Sequence, residues 1–235
     1  MQAHELSIPE RYQVKEIDKA LAQQISMANH YMHRKAPCSQ AFGLYDRQSG
    51  SVIGILLFGV SASSTLLKGV CGPDEAGNVF ELTRLWIQDG TPRNTESFFI
   101  SQCIGLAERE VIVSYAEINA GHVGYVYQAT NWFYTGLSTK FKDPKLHSRP
   151  GEHHTGWAHA KTVDGKRVPY STEALKKLHG DDLYFEERPR KHRYVYINAK
   201  NKKRRKILLA KLRYKILPYP KKVNDLVIPD SSSPL

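Results

Sequence analysis

The chain has 235 residues, of which 41% are hydrophobic, enough to bury one sizeable core or one core plus an extension. Its longest apolar run, at residues 52–60, is interrupted by Gly54 and Gly59, so the sequence predicts no membrane span and no membrane partner. The first thirteen residues contain no apolar signal core, and the three cysteines form no Cys-x-x-Cys pair. These features predict a cytosolic protein with reduced, mostly buried thiols.

Basic residues are concentrated in the last part of the chain. Residues 1–140 hold 11 Lys and Arg against 13 Asp and Glu, whereas residues 141–235 hold 23 against 10. Such concentrated positive charge favours a nucleic-acid partner, because a polyanion neutralises it. The alternative is a solvated surface that aids solubility. The basic residues cluster with aromatics, and those predicted to contact nucleic acid are Arg193, Lys202, Lys203, Arg204 and Arg205.

The first 140 residues carry the hydrophobic patterns of an α/β domain. Apolar residues at helical spacing predict an amphipathic helix over 15–28, and the turn RQSG between two apolar runs predicts a hairpin. The elements predicted after it are a Gly/Ser-rich loop over 61–78, a strand over 79–87, a helix over 98–109, a strand over 111–117, a short helix over 121–131 and a strand over 132–138. This order predicts an α/β sandwich with a sheet flanked by helices.

The character of the chain changes after residue 139, where Pro, His, Lys and Gly dominate. The elements predicted there are a hairpin across Asp164-Gly165, a helix over 173–179 capped by Thr172 and closed by Gly180, a strand over 193–197 and a basic amphipathic helix over 202–214. The predicted organisation is therefore a catalytic core over 1–140, a basic α+β extension over 141–220 that binds nucleic acid, and a flexible tail over 221–235.

The loop TPRNTES (91–97) links a predicted strand to a predicted helix. Asn94, Thr95 and Ser97 are residue types that cap helix N-termini, where free N–H groups and the positive end of the helix dipole attract anions. Arg93 adds a formal charge. The loop is therefore a candidate cofactor-binding site, and the alternative is an ordinary helix cap.

The order of strand, anion-accepting loop, helix and splayed strand resembles the core of the GNAT acyltransferases. In that superfamily the loop and helix N-terminus hold the pyrophosphate of coenzyme A. The resemblance implies a GNAT-like mixed sheet and a site for acetyl-CoA. The usual Gly-rich loop of the superfamily is absent here, because TPRNTES contains no glycine.

Five blocks in residues 28–138 resemble, in the same order and at similar spacings, the Mom proteins of phages. The blocks are NHYMH (29–33), FGVS (58–61), ELTRLW (81–86), PRNTES (92–97) and SYAE followed by GHVGYVYQATNWFYTG (114–136). That family looks like a divergent GNAT fold and converts adenine in phage DNA to N6-carbamoylmethyladenine, which protects the DNA from restriction. The resemblance implies a double-stranded DNA substrate and a place in the cytoplasm of the infected bacterial host.

The resemblance also implies which residues form the active site. The candidate catalytic residues are His30, Tyr31, Arg84, Ser114, Glu117 and Tyr127, and family members are associated with iron binding at the motif that His30 and Tyr31 occupy. Glu117 stands where the family usually has Asp, so its carboxylate reaches one methylene further. We expect the end of the splayed strand and the aromatic residues after it to line a pocket for a flat, extruded base. The alternative interpretations are a core aromatic for Tyr125 and a helix-capping residue for His33.

Two functions remain from the sequence alone. One is a Mom-like transferase acting on adenine N6, and the other is a non-catalytic nucleic-acid-binding protein on a GNAT-like scaffold. The presence of His30, Tyr31, Arg84, Ser114 and Tyr127 favours the enzyme, because a binding protein need not keep polar groups in the pocket. The donor is either acetyl-CoA or an activated glycine such as glycyl-tRNA, since a basic C-terminal half could hold tRNA as readily as DNA.

Overall fold

The computed structural model describes residues 6–150, 162–163, 166–167 and 171–221. The α-helices are α1 (Ile8–Arg11), α2 (Lys19–Asn29), α3 (Ser64–Cys71), α4 (Thr95–Leu106), α5 (Tyr125–Ala129), α6 (Thr172–His179) and α7 (Lys202–Lys211). The strands are β1 (Tyr12–Glu16), β2 (Gln40–Asp46), β3 (Val52–Gly59), β4 (Val79–Ile87), β5 (Val111–Glu117), β6 (Phe133–Leu137), β7 (Lys142–Leu146), β8 (Thr162–Val163), β9 (Lys166–Arg167), β10 (Leu183–Glu187) and β11 (Lys191–Ile197). None of the helices in these ranges is long and apolar enough to cross a membrane.

A seven-stranded mixed sheet with the order β1-β2-β3-β4-β5-β11-β6 forms the centre of the molecule. Strands β1 to β4 pair antiparallel with their neighbours, β4 and β5 are parallel, and β11 is antiparallel to both β5 and β6. Two smaller pairs, β10 with β7 and β8 with β9, lie outside this sheet. The predicted mixed sheet flanked by helices is confirmed.

Strands β4 and β5 separate along their length. They pair only where Val79–Glu81 faces Val111–Val113, although β4 continues to Ile87 and β5 to Glu117. The connection between them contains α4, as a parallel pair requires a crossover. The predicted splayed strand is therefore present, and a wedge-shaped gap opens in the sheet beyond Glu81 and Val113.

Helices cover both faces of the sheet. On one face α4 and α5 pack on a core whose largest buried side chains include Phe42, Phe58, Phe80, Phe99, Trp132 and Tyr194. On the other face α2 packs over β2 and β3, and α3 and α7 pack over β4, β5 and β11. We call these the α4 face and the α2 face. The gap between β4 and β5 is therefore reached by residues from both layers.

Several predicted elements differ in the structure. The helix at Thr172–His179 is capped by Ser171 rather than Thr172, and the helices predicted over 98–109 and 202–214 span Thr95–Leu106 and Lys202–Lys211. The segment predicted as a loop over 61–78 contains α3 and a 3-10 helix at Pro73–Asn78, because Ser63 caps α3 through the Leu66 N–H and Val70 and Cys71 bury against the sheet. The helix predicted over 15–28 begins only at Lys19, capped by Asp18, because the residues before it pair with β2 as strand β1.

The C-terminal part of the chain contributes to the central sheet. Strand β11 belongs to the predicted extension over 141–220, yet it lies between β5 and β6 and pairs with β5 from Lys191 to Ile197. The sheet is therefore not complete within residues 1–140, so the predicted boundary at residue 140 does not separate two structural units. Residues 222–235 of the predicted tail, and the histidine-rich loop at 151–159, lie outside the described residues.

Candidate active site

A cavity of about 650 Å³ occupies the gap between β4 and β5. All six residues predicted to be catalytic line it, namely His30, Tyr31, Arg84, Ser114, Glu117 and Tyr127. They come from the end of α2, the middle of β4, the splayed end of β5 and helix α5. The structure thus brings together residues up to 97 positions apart in the sequence.

A β-bulge in β4 decides which side chains face this cavity from the α2 face. Phe58 pairs with Leu82 and Leu57 pairs with Arg84, so Thr83 is the extra residue. In a regular strand the odd spacing of Glu81 and Arg84 would place them on opposite faces. The bulge places both on the α2 face, because their cross-strand partners Gly59 and Leu57 share that face.

His30 and Tyr31 lie at the C-terminal end of α2, where His30 is the C-cap residue. The two rings stack with their centroids 4.3 Å apart. His30 is buried, and its Nδ1 accepts a hydrogen bond from the Met32 N–H at 3.2 Å, which leaves the ring proton on Nε2. Burial, together with the nearby charges of Arg84 and His33, lowers the pKa of His30 to about 4, so the ring is neutral at neutral pH.

The spacing of His30 and His33 would place both on one face of a continued helix, but α2 ends at Asn29, so they do not share a helical face. His33 has a left-handed backbone, and its Nδ1 lies 2.9 Å from the Met27 carbonyl in the last turn of α2. This contact agrees with the capping interpretation of His33.

A chain of polar contacts links Tyr31 to the end of β5. The Tyr31 hydroxyl donates to Glu117 Oε2 at 3.3 Å, and Lys191 Nζ lies 3.6 Å from Glu117 Oε1. Partial burial and the Glu117 carboxylate raise the pKa of the Tyr31 phenol, because both disfavour the phenolate. Glu117 is therefore held between a donor and a cation, with its carboxylate at the wall of the cavity.

Ser114 and Tyr127 meet on the α4 face of the same cavity. Their hydroxyl oxygens lie 2.8 Å apart, and Ser114 Oγ is also 3.3 Å from the Leu82 carbonyl. Burial raises the pKa of Tyr127 to about 12, so its proton is retained at neutral pH. Trp132, expected near the pocket, is instead fully buried in the core against Tyr127. Tyr125, by contrast, is 60% exposed and lines the cavity, so its alternative interpretation as a core aromatic is wrong.

Arg84 lines the cavity and has one buried side-chain donor without a hydrogen-bond partner among the described residues. Its Nη1 donates to the Thr83 carbonyl at 2.7 Å and its Nη2 to the Arg34 carbonyl at 3.3 Å, which fixes the guanidinium. Its Nε is buried without a hydrogen-bond partner among the described residues. A buried donor of this kind is costly unless a ligand satisfies it.

Three charged residues of the cavity, Glu81, Glu96 and Lys191, were not predicted from the sequence. Burial raises the pKa of Glu81, although Ser61, Lys191 and Arg84 oppose that effect. A charged residue next to apolar Phe80 in a predicted strand was an available signal for Glu81. Lys191 had no such signal, because its position opposite Glu117 depends on the insertion of β11 beside β5.

The predicted cofactor-binding loop lies at the N-terminus of α4. Asn94 is the N-cap residue in a left-handed conformation, with no side-chain cap hydrogen bond. Thr95 and Ser97 donate their hydroxyls backward to the carbonyls of Pro92 and Asn94 rather than accepting from the helix. Arg93 is exposed, but Glu96 occupies the first turn and lines the cavity, so an anion bound there would meet a carboxylate.

The residues predicted to contact nucleic acid divide into two groups. Arg193 is only 9% exposed; it donates to Thr135 and stacks on the Tyr214 ring, so its prediction as a surface contact is wrong. Arg204 donates to Glu75 and Glu110, so its guanidinium is already paired with carboxylates of the protein. Arg205 bonds the Ile197 carbonyl and is partly buried, whereas Lys202 and Lys203 are exposed.

The predicted iron ligands fit a metal site only in part. No group of three or more His, Cys, Asp or Glu side chains within the described ranges could hold a metal ion. Two histidines and a carboxylate are typical of non-haem iron(II), whereas here the His30 ring stacks on Tyr31 and the Tyr31 hydroxyl contacts Glu117. These donors do not make up that set. Iron at His30 and Tyr31 stays a prediction, and the reaction proposed below uses no step at iron.

Comparison with known proteins identifies the family. The model of the Mom protein family matches residues 11–221, which is most of the chain. The protein belongs to the Mom protein family. One member of known name, the methylcarbamoylase mom of Escherichia phage Mu, is 29% identical over 213 residues, covering 86% of this chain and 80% of that protein.

Solved structures with a similar fold are acetyltransferases. The spermidine/spermine N-acetyltransferase of Vibrio cholerae has a TM-score of 0.43 at 8% identity, covering 83% of this chain and 96% of that one. An N-acetyltransferase of Staphylococcus aureus Mu50 scores 0.42 at 11%, with coverages of 80% and 99%. A Bacillus subtilis acetyltransferase in complex with CoA scores 0.40 at 8%, with coverages of 80% and 97%. At these scores we draw nothing about activity from the likeness.

Proposed function

We propose that this Mom-family protein is a transferase that converts adenine in phage DNA to N6-carbamoylmethyladenine in the cytoplasm of the infected host, protecting the DNA from restriction. Family membership and the name of the phage Mu relative support this assignment. The observation that carries it is that two hydrogen-bonded pairs of polar side chains line one cavity. Tyr31 pairs with Glu117 on the α2 face, and Ser114 pairs with Tyr127 on the α4 face. A protein that only binds nucleic acid has no need of such a cavity.

The arrangement assigns a proton-transfer role to each group. Adenine N6 loses a proton as its new bond forms, and Glu117, bonded to Tyr31, would accept it. Tyr127 is protonated at neutral pH and would donate to the leaving group from the opposite face. The Arg84 guanidinium lines the cavity and would stabilise the negative charge that develops on the carbonyl oxygen of the donor during attack.

The product is tested by mass spectrometry of nucleosides from DNA co-expressed with the protein. We expect a modified deoxyadenosine with the mass of the carbamoylmethyl derivative, absent from DNA of cells without the protein. DNA that is bound by the protein but contains only unmodified adenine would favour the binding protein over the enzyme.

The donor is constrained by the chemistry of this product. Its added carbon is a methylene bonded to nitrogen, whereas attack of N6 on acetyl-CoA would give an N-acetyl group. An acetyl donor would therefore need an oxidant and a source of nitrogen. Attack on a glycyl ester or thioester, as in glycyl-tRNA, instead gives N6-glycyladenine, which is an isomer of the carbamoylmethyl product. The glycyl amine can add to ring carbon C6 through a five-membered intermediate, and the original nitrogen then leaves C6 as the amide.

Isotope labelling distinguishes these donors. In cells fed glycine labelled with nitrogen-15, the glycyl route places the label on the nitrogen attached to C6 of the modified base. Fragmentation mass spectrometry of the nucleoside locates it. A modified base without label at that nitrogen, from cells whose glycine pool is shown to be enriched, would exclude the glycyl route and leave the transferase assignment standing.

Contact of α7 with DNA phosphates is a separate prediction. Lys202 and Lys203 are exposed at the start of α7, whereas Arg204 is held in ion pairs, so only the two lysines are suitable for substitution. Replacing both with Ala should lower the slope of log affinity against log salt concentration by about 1.8, since each phosphate contact contributes about 0.9. An unchanged slope between low and moderate salt would show that this surface is only solvated.

A further inference from the structure

A second cavity of about 500 Å³ lies beside the candidate active site. We call it the basic groove, and the residues that line it include Asn119, Lys140, Phe141, Lys142, Arg188 and Arg190. It adjoins the first cavity through the chain itself. Asn119 follows two residues after Glu117, and Arg190 directly precedes Lys191, and both Glu117 and Lys191 line the first cavity. A ligand in the groove would therefore extend from the mouth of the candidate active site.

Phe141 in this groove is an exposed aromatic on a fixed support. Its side chain is 45% exposed, although large apolar side chains are normally buried. The guanidinium of Arg188 lies 4.8 Å from the centroid of the Phe141 ring. The backbone N–H of Arg188 donates to the Phe141 carbonyl at 2.8 Å. Arg188 is in turn fixed by two hydrogen bonds to the buried carboxylate of Asp143. The Phe141 ring is thus fixed by Arg188, and much of its surface is open to solvent.

The charge of the groove differs from that of the active-site cavity. Lys140, Lys142 and Arg190 are basic and Glu187 is the acidic residue of the groove, while Arg188 is neutralised by Asp143. The two lysines are exposed, whereas Arg190 also donates to the Ser138 and Leu137 carbonyls. The ion pair between Lys142 and Glu187 is 3.9 Å long and largely exposed to solvent, so it costs little to break. The active-site cavity instead contains three carboxylates, Glu81, Glu96 and Glu117. A phosphate backbone is therefore attracted to the groove rather than to the cavity.

The predicted basic surface on α7 is too distant to serve the target base. Arg204 contacts Glu110, directly before the first residue of β5, whereas the cavity lies at Glu117 at its other end. Seven residue steps of about 3.3 Å each separate Glu110 from Glu117 by about 23 Å. Phosphates next to a base in the cavity must therefore be held by other residues.

We propose that the basic groove binds the DNA strand that flanks the target adenine, with an unstacked neighbouring base lying on Phe141 and phosphates contacting Lys140, Lys142 and Arg190. This inference rests on the proposed function for the identity of the target base. Extruding one base leaves its neighbours without a stacking partner, and an aromatic ring replaces that partner for any base.

The probe is a short DNA duplex with a central mismatched bubble that contains one adenine beside a 5-iododeoxyuridine, with no acyl donor present. Phe141→Leu should weaken binding roughly 5- to 100-fold, the loss of one stacked base, and Phe141→Trp should restore it. Irradiation should cross-link the iodinated base to the peptide that contains Phe141. Lys140→Gln with Lys142→Gln should lower the salt slope by about 1.4 to 1.8.

The matched control removes two exposed lysines from the opposite edge of the sheet, through Lys15→Gln with Lys19→Gln, and should leave the slope unchanged. Wild-type affinity of Phe141→Leu together with cross-linking elsewhere would overturn the proposal. If the groove variants lose affinity for tRNA but not for DNA, the proposal is also overturned, because the partner of the groove would then be tRNA. These binding tests do not depend on product formation. If the groove fails them while the protein still modifies DNA, only the groove proposal is refuted. If the groove binds DNA but no modified adenine forms, only the proposed enzymatic function is refuted.

Discussion

Tyr31→Phe and His30→Ala are expected to lower the rate of adenine modification by roughly 10² to 10⁴, the usual contribution of one positioned proton-transfer group. The first change removes the hydroxyl that donates to Glu117, and the second removes the ring that stacks on Tyr31 and fixes it. Nucleoside mass spectrometry at fixed time points measures the rate. DNA affinity should stay near the wild-type value, because neither residue belongs to the basic groove or to α7.

Tyr45→Phe is the matched control for the loss of a phenol hydroxyl, since Tyr45 lies on β2 outside both cavities. Its modification rate should equal that of the wild-type protein. The thermal midpoint of each variant shows whether His30→Ala is still folded. If both active-site variants are folded and modify DNA at the wild-type rate, the candidate active site is misplaced.

Arg204→Ala is expected to lower the free energy of unfolding by about 2–4 kcal/mol at neutral pH, the cost of leaving the buried Glu75 and the partly buried Glu110 carboxylates without this partner. Arg204 bonds both Glu75 and Glu110, and Lys211 adds a third contact at 2.7 Å from Glu75. Urea unfolding measures the loss. The exposed neighbour Lys203 supplies the control, because Lys203→Ala should change stability by less than about 0.5 kcal/mol.

The same ion pairs give stability a defined pH dependence. The hydrogen bonds from Arg204 and Lys211 lower the pKa of Glu75 from 4.5 to about 2 in the folded protein. A carboxyl whose pKa is lowered by folding stabilises the protein above its unfolded pKa, and this contribution disappears as pH falls through the folded value. Glu75 should therefore contribute on the order of 2–3 kcal/mol that is lost between pH 4.5 and 2. Glu75→Gln should remove this part of the pH dependence, and an identical acid profile in the variant would contradict the assignment.

The sequence predicted the elements that form the candidate site but not how they meet. The strands at 79–87 and 111–117 were correctly bounded, because both are rich in apolar, β-branched and aromatic residues. The bulge at Thr83 has no local signature, so the common face of Glu81 and Arg84 could not be derived from alternation. Family resemblance selected the six candidate catalytic residues, and the structure places all of them around one cavity.

Charge composition was the weaker guide. It indicated that the C-terminal part of the chain is basic, but the number of cations does not show which of them point to solvent. Arg193 is buried because β11 pairs with β5 and β6 on its two sides, a long-range pairing that no local pattern reveals. Arg204 is partly buried and held in ion pairs by Glu75 and Glu110, which lie more than 90 residues earlier. Phe141 was missed because a single aromatic in a polar segment carries no signal by itself.

The position of β11 also sets the order in which the protein can mature during synthesis. While the ribosome is still translating the residues before 191, β5 and β6 have no strand between them, and Glu117 has no lysine beside it. A nascent chain at that stage exposes two open sheet edges, and pairing over such sequence distances is slow. The wall of the cavity can therefore be completed only after Lys191–Ile197 has emerged, by which time the basic groove has already been synthesised. A prematurely terminated chain would thus lack a finished cavity, so the candidate active site and the basic groove are completed at nearly the same stage of synthesis.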